Sequence, residues 1–187
     1  MNLKETYNRI AEDWFKDHHD DTWWQGGTEI FLSKLVPGAT ILDVGCGAGV
    51  KSHYLTNKGF KVTGIDFSDK LVDIARREYP GISFHIVDIY EIDKFQQTFD
   101  AVFVQAVLLH IPKDKIKEVL VKLKEKINPN GFLYIAVKGL REDGIEEEIK
   151  KENDYRYDDE IFFSYYSLSE LEEYLRNCLK RLLTLVV

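Results

Sequence analysis

Cysteine, proline and methionine are all scarce in this 187-residue chain, which has two, four and one of them. The two cysteines, Cys46 and Cys178, form no metal-ligand spacing, which argues against a metal-built module and for a reduced, cytoplasmic protein. No apolar run approaches the ~18 residues of a membrane span. The first residues lack the charged-then-apolar layout of a secretory signal. Positive charge is also short: 25 Lys and Arg against 32 Asp and Glu give a net charge of −7, which argues against a nucleic-acid partner. Internal repeats and low-complexity segments are absent. The apolar content of 44% suits one soluble domain with a sizeable core, expected to span residues 1–187.

Glycine, by contrast, is concentrated where it matters. Ile41-Leu-Asp-Val-Gly-Cys-Gly-Ala-Gly49 is a short apolar run with an acid, followed by three alternating glycines. Leu42–Val44 reads as the end of a buried strand, and the glycines mark a turn where a ligand can lie against bare backbone. Strand, glycine turn and helix start together define a nucleotide-type site. A dinucleotide turn prefers Gly-x-Gly-x-x-Gly, but here the position of the third glycine is Val50. Asp43, expected to point into the cleft, would repel a pyrophosphate and suits a cationic or hydroxyl-rich ligand.

Strand patterns at Thr40–Val44, Lys61–Ile65, Ser83–Val87, Ala101–Gln105 and Phe132–Lys138 alternate with helix patterns at Val50–Asn57, Asp69–Glu78 and Lys113–Ile127. This alternation predicts an α/β, doubly wound, Rossmann-like sheet in a three-layer α-β-α sandwich. Gly45, Asp66, Asp88 and Gln105 all fall at or just after strand carboxyl ends, where such sheets bind ligands. Ser68 and Ser167 read as helix N-caps, the second within a Ser167-x-x-Glu170 capping box.

Five ordered segments resemble class I S-adenosylmethionine-dependent methyltransferases. Asp43–Gly49 is similar to the family's first motif, and Lys61–Ser68 to its second strand with the acidic residue at Asp66. Phe84–Ile89 looks like the third strand with its adenine-reading acid at Asp88. Phe99–His110 resembles the fourth strand and following loop, and Leu123–Tyr134 the segment leading into strand five, with Asn130 where glycine is commoner. The resemblance implies S-adenosylmethionine as cofactor and a small-molecule acceptor of O- or N-methylation. It implies cofactor contacts from Asp43, Gly45, Cys46, Gly47 and Gly49 to the methionine and sugar, and from Asp66 to the ribose. Phe67, Asp88 and Ile89 would meet the adenine, and Gln105 and Ala106 the methionine end. His110 is the candidate general base near the acceptor, or else a loop-fixing residue. A catalytically silent cofactor binder and an NAD-dependent oxidoreductase are the alternatives.

The variable parts carry acceptor choice: residues 1–27, expected to act as a lid bearing Tyr7, Trp14, Trp23 and Trp24, and an insertion at 139–166. The stretch Arg141–Glu160 within it holds ten acids and four bases. Asp17-His-His-Asp-Asp21 has metal-ligand residue types but no supporting turn, and reads as a solvated segment. The tail Leu182–Val187 reads as a sixth strand, with the family's final antiparallel strand shortened or missing. An apolar sheet edge of that kind is a template for association, so a homodimer through the C-terminal edge and a shortened chain are both open.

Overall fold

The computed structural model describes residues 3–152, 155, 159–176 and 182–186, with residues 152, 159 and 182–186 described by backbone alone. Near-continuous apolar runs need a sheet covered on both faces. The runs at Thr40–Val44 (β1), Lys61–Asp66 (β2), Ser83–Ile86 (β3), Phe99–Gln105 (β4) and Ile127–Val137 (β5), with Leu182–Val186 (β8), form one six-stranded sheet. Its order is β3-β2-β1-β4-β5-β8 and every pairing is parallel. The chain thus reverses its direction of travel across the sheet between β1 and β4, where a parallel sheet opens a crevice.

Among the described residues six helices accompany the sheet: Leu3–His18 (α1), Gln25–Leu32 (α2), Val50–Asn57 (α3), Asp69–Glu78 (α4), Lys113–Lys124 (α5) and Leu168–Arg176 (α6). Strand alternation divides the core in two. Leu42, Val44, Val102, Val104, Leu133 and Ile135 pack with α5 and α6 through Ile116, Leu120, Leu123, Leu171 and Leu175. Ile41, Ala101, Phe103 and Tyr134 face the other way, against Phe31 of α2 and Leu55 of α3. These are the three layers expected from the pattern. On the second face, α1 lies against α4 through Ala11, Leu71 and Ile74.

Two stretches differ from expectation. Helix α5 stops at Lys124, and Ile127 already pairs with Phe99 of β4. The ladder then slips between Phe99 and Ala101, where Asn130 takes a left-handed φ of 67° that asparagine tolerates better than most residues. That bulge carries the chain past Pro129 and explains a strand longer than the predicted Phe132–Lys138. The acidic insertion forms an antiparallel hairpin, Glu147–Glu152 (β6) with Asp159–Ser164 (β7). Phe163, Tyr165 and Ile161 bury against Leu109. The capping box is half formed: Ser167 Oγ accepts from the Glu170 amide, while the Glu170 carboxylate turns to Lys113 Nζ at 2.9 Å.

The turn after β1 depends on its glycines. Gly49 caps α3 at φ 85°, and a Cβ there would come within 2.8 Å of the Phe84 ring. Gly49→Ala therefore combines a disfavoured backbone with overpacking and is expected to destabilise by about 1–3 kcal/mol. Urea unfolding followed by circular dichroism measures it, and an unchanged midpoint would contradict this packing.

Candidate cofactor and acceptor site

Register alone brings the site together. Val44 of β1 is level with Ile65 of β2 and Val104 of β4, so Gly45, Asp66 and Gln105 emerge side by side at the carboxyl edge. The turn is tied to β2 by two amides, Gly45 N and Cys46 N, which both donate to the Ile65 carbonyl at 2.8 and 3.0 Å. A cavity of about 310 Å³ opens above this edge.

Asp66 is 5% exposed and accepts from two backbone amides, Gly47 N at 2.9 Å on Oδ2 and Ser68 N at 2.8 Å on Oδ1. Burial pushes its pKa up to about 6, against the pull of those two amides. Each oxygen keeps lone-pair capacity toward the cavity it lines. Asp88 caps the 3-10 turn Ile89–Lys94 by accepting from Tyr90 N at 2.9 Å, and lines the same cavity with Ile89. Phe67, Gly45, Cys46 and Gly47 line it as well. Trp14 lies over Gly47, where a Cβ would sit 3.6 Å from the indole. Ala106, at φ 58°, holds the left-handed conformation just past β4 and also faces the cavity. Beside it, Gln105 is 4% exposed and its Oε1 has no hydrogen-bond partner among the described residues.

Two expected residues stand outside the cavity. Alternation along β1 turns Asp43 to the α3 side of the sheet, the reverse of the expected cleft-facing acid. There it is 2% exposed and accepts from Ser52 Oγ at 2.6 Å. Burial raises its pKa to about 6, opposed by the Ser52 bond and by Lys51. Gly49 serves as the α3 cap and does not line the cavity.

His110 closes the cavity on the hairpin side. Its Nδ1 is 3.0 Å from the Phe162 carbonyl of β7, which can only accept, so Nδ1 carries the proton. Nε2 is then free of a proton and accepts from Tyr7 OH of α1 at 3.0 Å. Burial lowers the His110 pKa to about 4, with the Phe162 bond resisting the fall. The imidazole is therefore neutral through the physiological range. Tyr7 also meets Phe67 edge-on at 5.9 Å, so one residue of α1 touches both Phe67 and His110. Among the described residues no group of acidic, His or Cys side chains could hold a metal ion, and His18 of the histidine-rich segment instead stacks on Trp14 at 4.6 Å. Lys51, Val87 and Tyr90 also line the cavity and do not stand out in the sequence. The one sign for Lys51 is its place in the first turn of α3, two residues beyond the last turn glycine.

A nucleoside-sized cavity at the switch point of a doubly wound parallel sheet, with an acid ending β2, defines the class of α/β nucleotide-cofactor proteins. Residues 41–131 match the family model described as a methyltransferase domain. The chain is 27% identical over 158 residues to the mitochondrial ubiquinone biosynthesis O-methyltransferase of Schizosaccharomyces pombe, covering 73% of this chain and 54% of that protein. It is 32% identical over 103 residues to the corresponding Coxiella burnetii protein, covering 53% and 43%. The matches thus span about half the length of these curated relatives. A 1,6-didemethyltoxoflavin-N1-methyltransferase from Burkholderia thailandensis, solved with S-adenosylhomocysteine, shares the fold at TM-score 0.68 and 20% identity over 94% of this chain and 75% of that one. Over residues 41–131 the chain is thus similar to methyltransferase domains, and its fold is that of the S-adenosylhomocysteine-bound neighbour.

A buried histidine of depressed pKa resists protonation: its contribution to stability is complete above the free value of 6.5 and is lost as pH falls toward about 4. In proton NMR the His110 ring is expected to remain neutral from about pH 8 to pH 5. A titration midpoint between 6 and 7 (near the free value of 6.5) would contradict the buried Tyr7–His110–Phe162 arrangement.

Proposed function

We propose that the chain transfers a methyl group from S-adenosylmethionine to the hydroxyl of a small, partly apolar acceptor, with His110 taking the hydroxyl proton. One observation carries this reading: a doubly amide-bound Asp66 and a neutral histidine with a proton-free Nε2 line the same cavity. The orphaned Gln105 Oε1 fits a cavity built for a polar ligand that would satisfy it.

When bound, the cofactor supplies a sulfonium methyl that passes to a nucleophile by in-line displacement. The chain's part is positioning and water exclusion, which can contribute about 7–11 kcal/mol. Asp66 accepts from the ribose hydroxyls, and Asp88 and the Ile89 backbone read the adenine beside Phe67. The Gly45–Gly47 backbone and Cys46 lie along the sugar and methionine, with Gln105 and Ala106 at the methionine end. Asp43 and Gly49 act behind this row by holding α3. His110 receives the proton at Nε2 once the acceptor has replaced Tyr7 there, and the Phe162 carbonyl stabilises the imidazolium formed. A base held at about pKa 4 suits an acidic hydroxyl, phenolic or enolic, better than an alcohol. The relatives' description as O-methyltransferases agrees with that choice.

The same reading covers the chain's organisation. The described parts of 1–27 and 139–166 are then the lid and the acceptor-side wall of one domain. No described helix is long and apolar enough to cross a membrane, and a net charge of −7 fits a small acceptor rather than nucleic acid in a cytoplasmic setting. β8 ends the sheet, which makes it the edge through which two copies would pair.

Calorimetry should detect S-adenosylmethionine and S-adenosylhomocysteine but not NAD; binding of NAD alone would sink the proposal. Labelled methyl should then reach phenols in preference to alcohols and amines, and its absence from every acceptor would leave a silent cofactor binder. Asp66→Ala should weaken S-adenosylhomocysteine by about 1.5–3 kcal/mol, the worth of a charged hydrogen-bonding group. Because the ribose prefers the ionised carboxylate, affinity should also fall as pH drops through about 6. His110→Ala should cut kcat by about 10²–10⁴ with cofactor affinity unchanged.

A further inference from the structure

One ring nitrogen fixes where a hydroxyl can stand in this cavity. His110 Nδ1 donates to the Phe162 carbonyl at 3.0 Å, so the accepting lone pair of the neutral ring lies at Nε2. That lone pair points outward in the ring plane, and an oxygen that gives its proton to Nε2 has one place to stand. Tyr7 Oη already stands there, 3.0 Å from Nε2. The Tyr7 ring is held from two sides, edge-on to Phe67 at 5.9 Å and to His110 at 5.8 Å. Helix α1 is tied down on either side of it in sequence, Lys4 to Asp69 at 2.8 Å and Asn8 to Ser68 at 2.6 Å. Tyr7 lines the same cavity as Asp66, Gln105 and Ala106. The chain thus places a phenol of its own where an acceptor hydroxyl has to come.

We infer that Tyr7 is a methyl acceptor in its own right: with S-adenosylmethionine bound and no small acceptor present, the chain methylates its own Tyr7 oxygen. This rests on the reading of the cavity and of His110 given above. The Tyr7 oxygen forms an O–CH3 bond as the sulfonium C–S bond breaks. The electron pair of the broken bond stays on sulfur, the phenol proton moves to His110 Nε2, and S-adenosylhomocysteine leaves. A phenol is the kind of hydroxyl that suits so weak a base. Holding methyl donor, oxygen and base in one cavity makes the step intramolecular. The modification is self-limiting. Methylated Tyr7 has no proton to donate, and while α1 keeps its ties the added methyl fills the place beside Nε2 that an outside acceptor needs. An outside acceptor that takes that place first shields Tyr7.

The test incubates the full chain with methyl-labelled S-adenosylmethionine and no acceptor, then locates the label by mass spectrometry after trypsin. A single methyl should appear on the peptide Glu5–Arg9, and Tyr7→Phe should carry none. His110→Ala should slow labelling about 10²–10⁴-fold, and an excess of a phenol should suppress it. A second readout needs no cofactor. In the unligated chain Tyr7→Phe should move the His110 Nε2 nitrogen resonance, because it removes the donor from that atom. An unmoved resonance would overturn the inference. So would label on another residue, or no label on a chain that binds S-adenosylmethionine; if that chain still methylates an added phenol, the proposed function stands. A chain that binds no S-adenosylmethionine loses both. The position of the label in the unaltered chain decides the matter even if neither variant folds.

Discussion

The Asp66 carboxylate is the joint on which the site depends. Its two oxygens accept amides from different segments, Gly47 in the turn after β1 and Ser68 at the start of α4. One side chain thus fixes the glycine turn, the end of β2 and the entry to the next helix relative to each other. Ser68 carries the constraint outward, since its hydroxyl accepts from Leu71 N to cap α4 and donates to Asn8 of α1 at 2.6 Å. A charged acceptor with two amide donors is stronger than a neutral one, and it is rigid because both donors are backbone.

That joint has a cost in stability. Asp66 and Asp43 are both buried, and burial raises the pKa of each to about 6. A raised carboxylate pKa means the folded state favours the protonated form, so the native state loses stability as pH climbs from the free value of 3.8 toward 6. Beside these two carboxylates the fold carries an orphaned Gln105 oxygen at the end of β4 and, in the first turn of α3, Lys51, whose pKa burial lowers. Groups left unsatisfied in the free protein are groups a ligand can satisfy, which is the usual exchange of stability for function at binding sites.

What is legible in the sequence is whatever local chemistry decides. The β1 run, the turn glycines and the Ser68 cap depend on near neighbours, and β1, α3 and α4 appear with their expected bounds. The pairing of Glu147–Glu152 with Asp159–Ser164 is not legible, because the first strand has one apolar residue, Ile149, among charges, and Phe163 and Tyr165 are buried against Leu109, far away in sequence. Asp43 differs from expectation by one face: motif position puts it at the ligand, whereas strand alternation sends its side chain to Ser52. Lys51 escapes notice because one lysine in a helix looks solvated until the cavity around it is known. His110 does sit beside the strand-four loop, but its tautomer depends on Phe162, 52 residues further on.

Helix α1 differs from the rest in how it is held. Apart from a short apolar stripe at Ala11, Tyr7, Trp14 and Phe15, α1 is attached by polar ties: Asn8 to Ser68, Lys4 to Asp69, Arg77 to Glu12 and Tyr7 to His110. Exposed ion pairs of this kind are worth about 0–1 kcal/mol each. The central strands, by contrast, are buried on both faces, by mainly aliphatic side chains on one and by Phe31, Phe103 and Tyr134 with aliphatic neighbours on the other. Local opening should therefore begin at α1 well before the sheet yields. Lys4, Tyr7 and Trp14 line the cavity, so the wall that α1 contributes to it is also the wall held most weakly. The tie from Tyr7 to His110 joins the cavity wall to that weakly held helix, so movement of α1 would also free His110 Nε2.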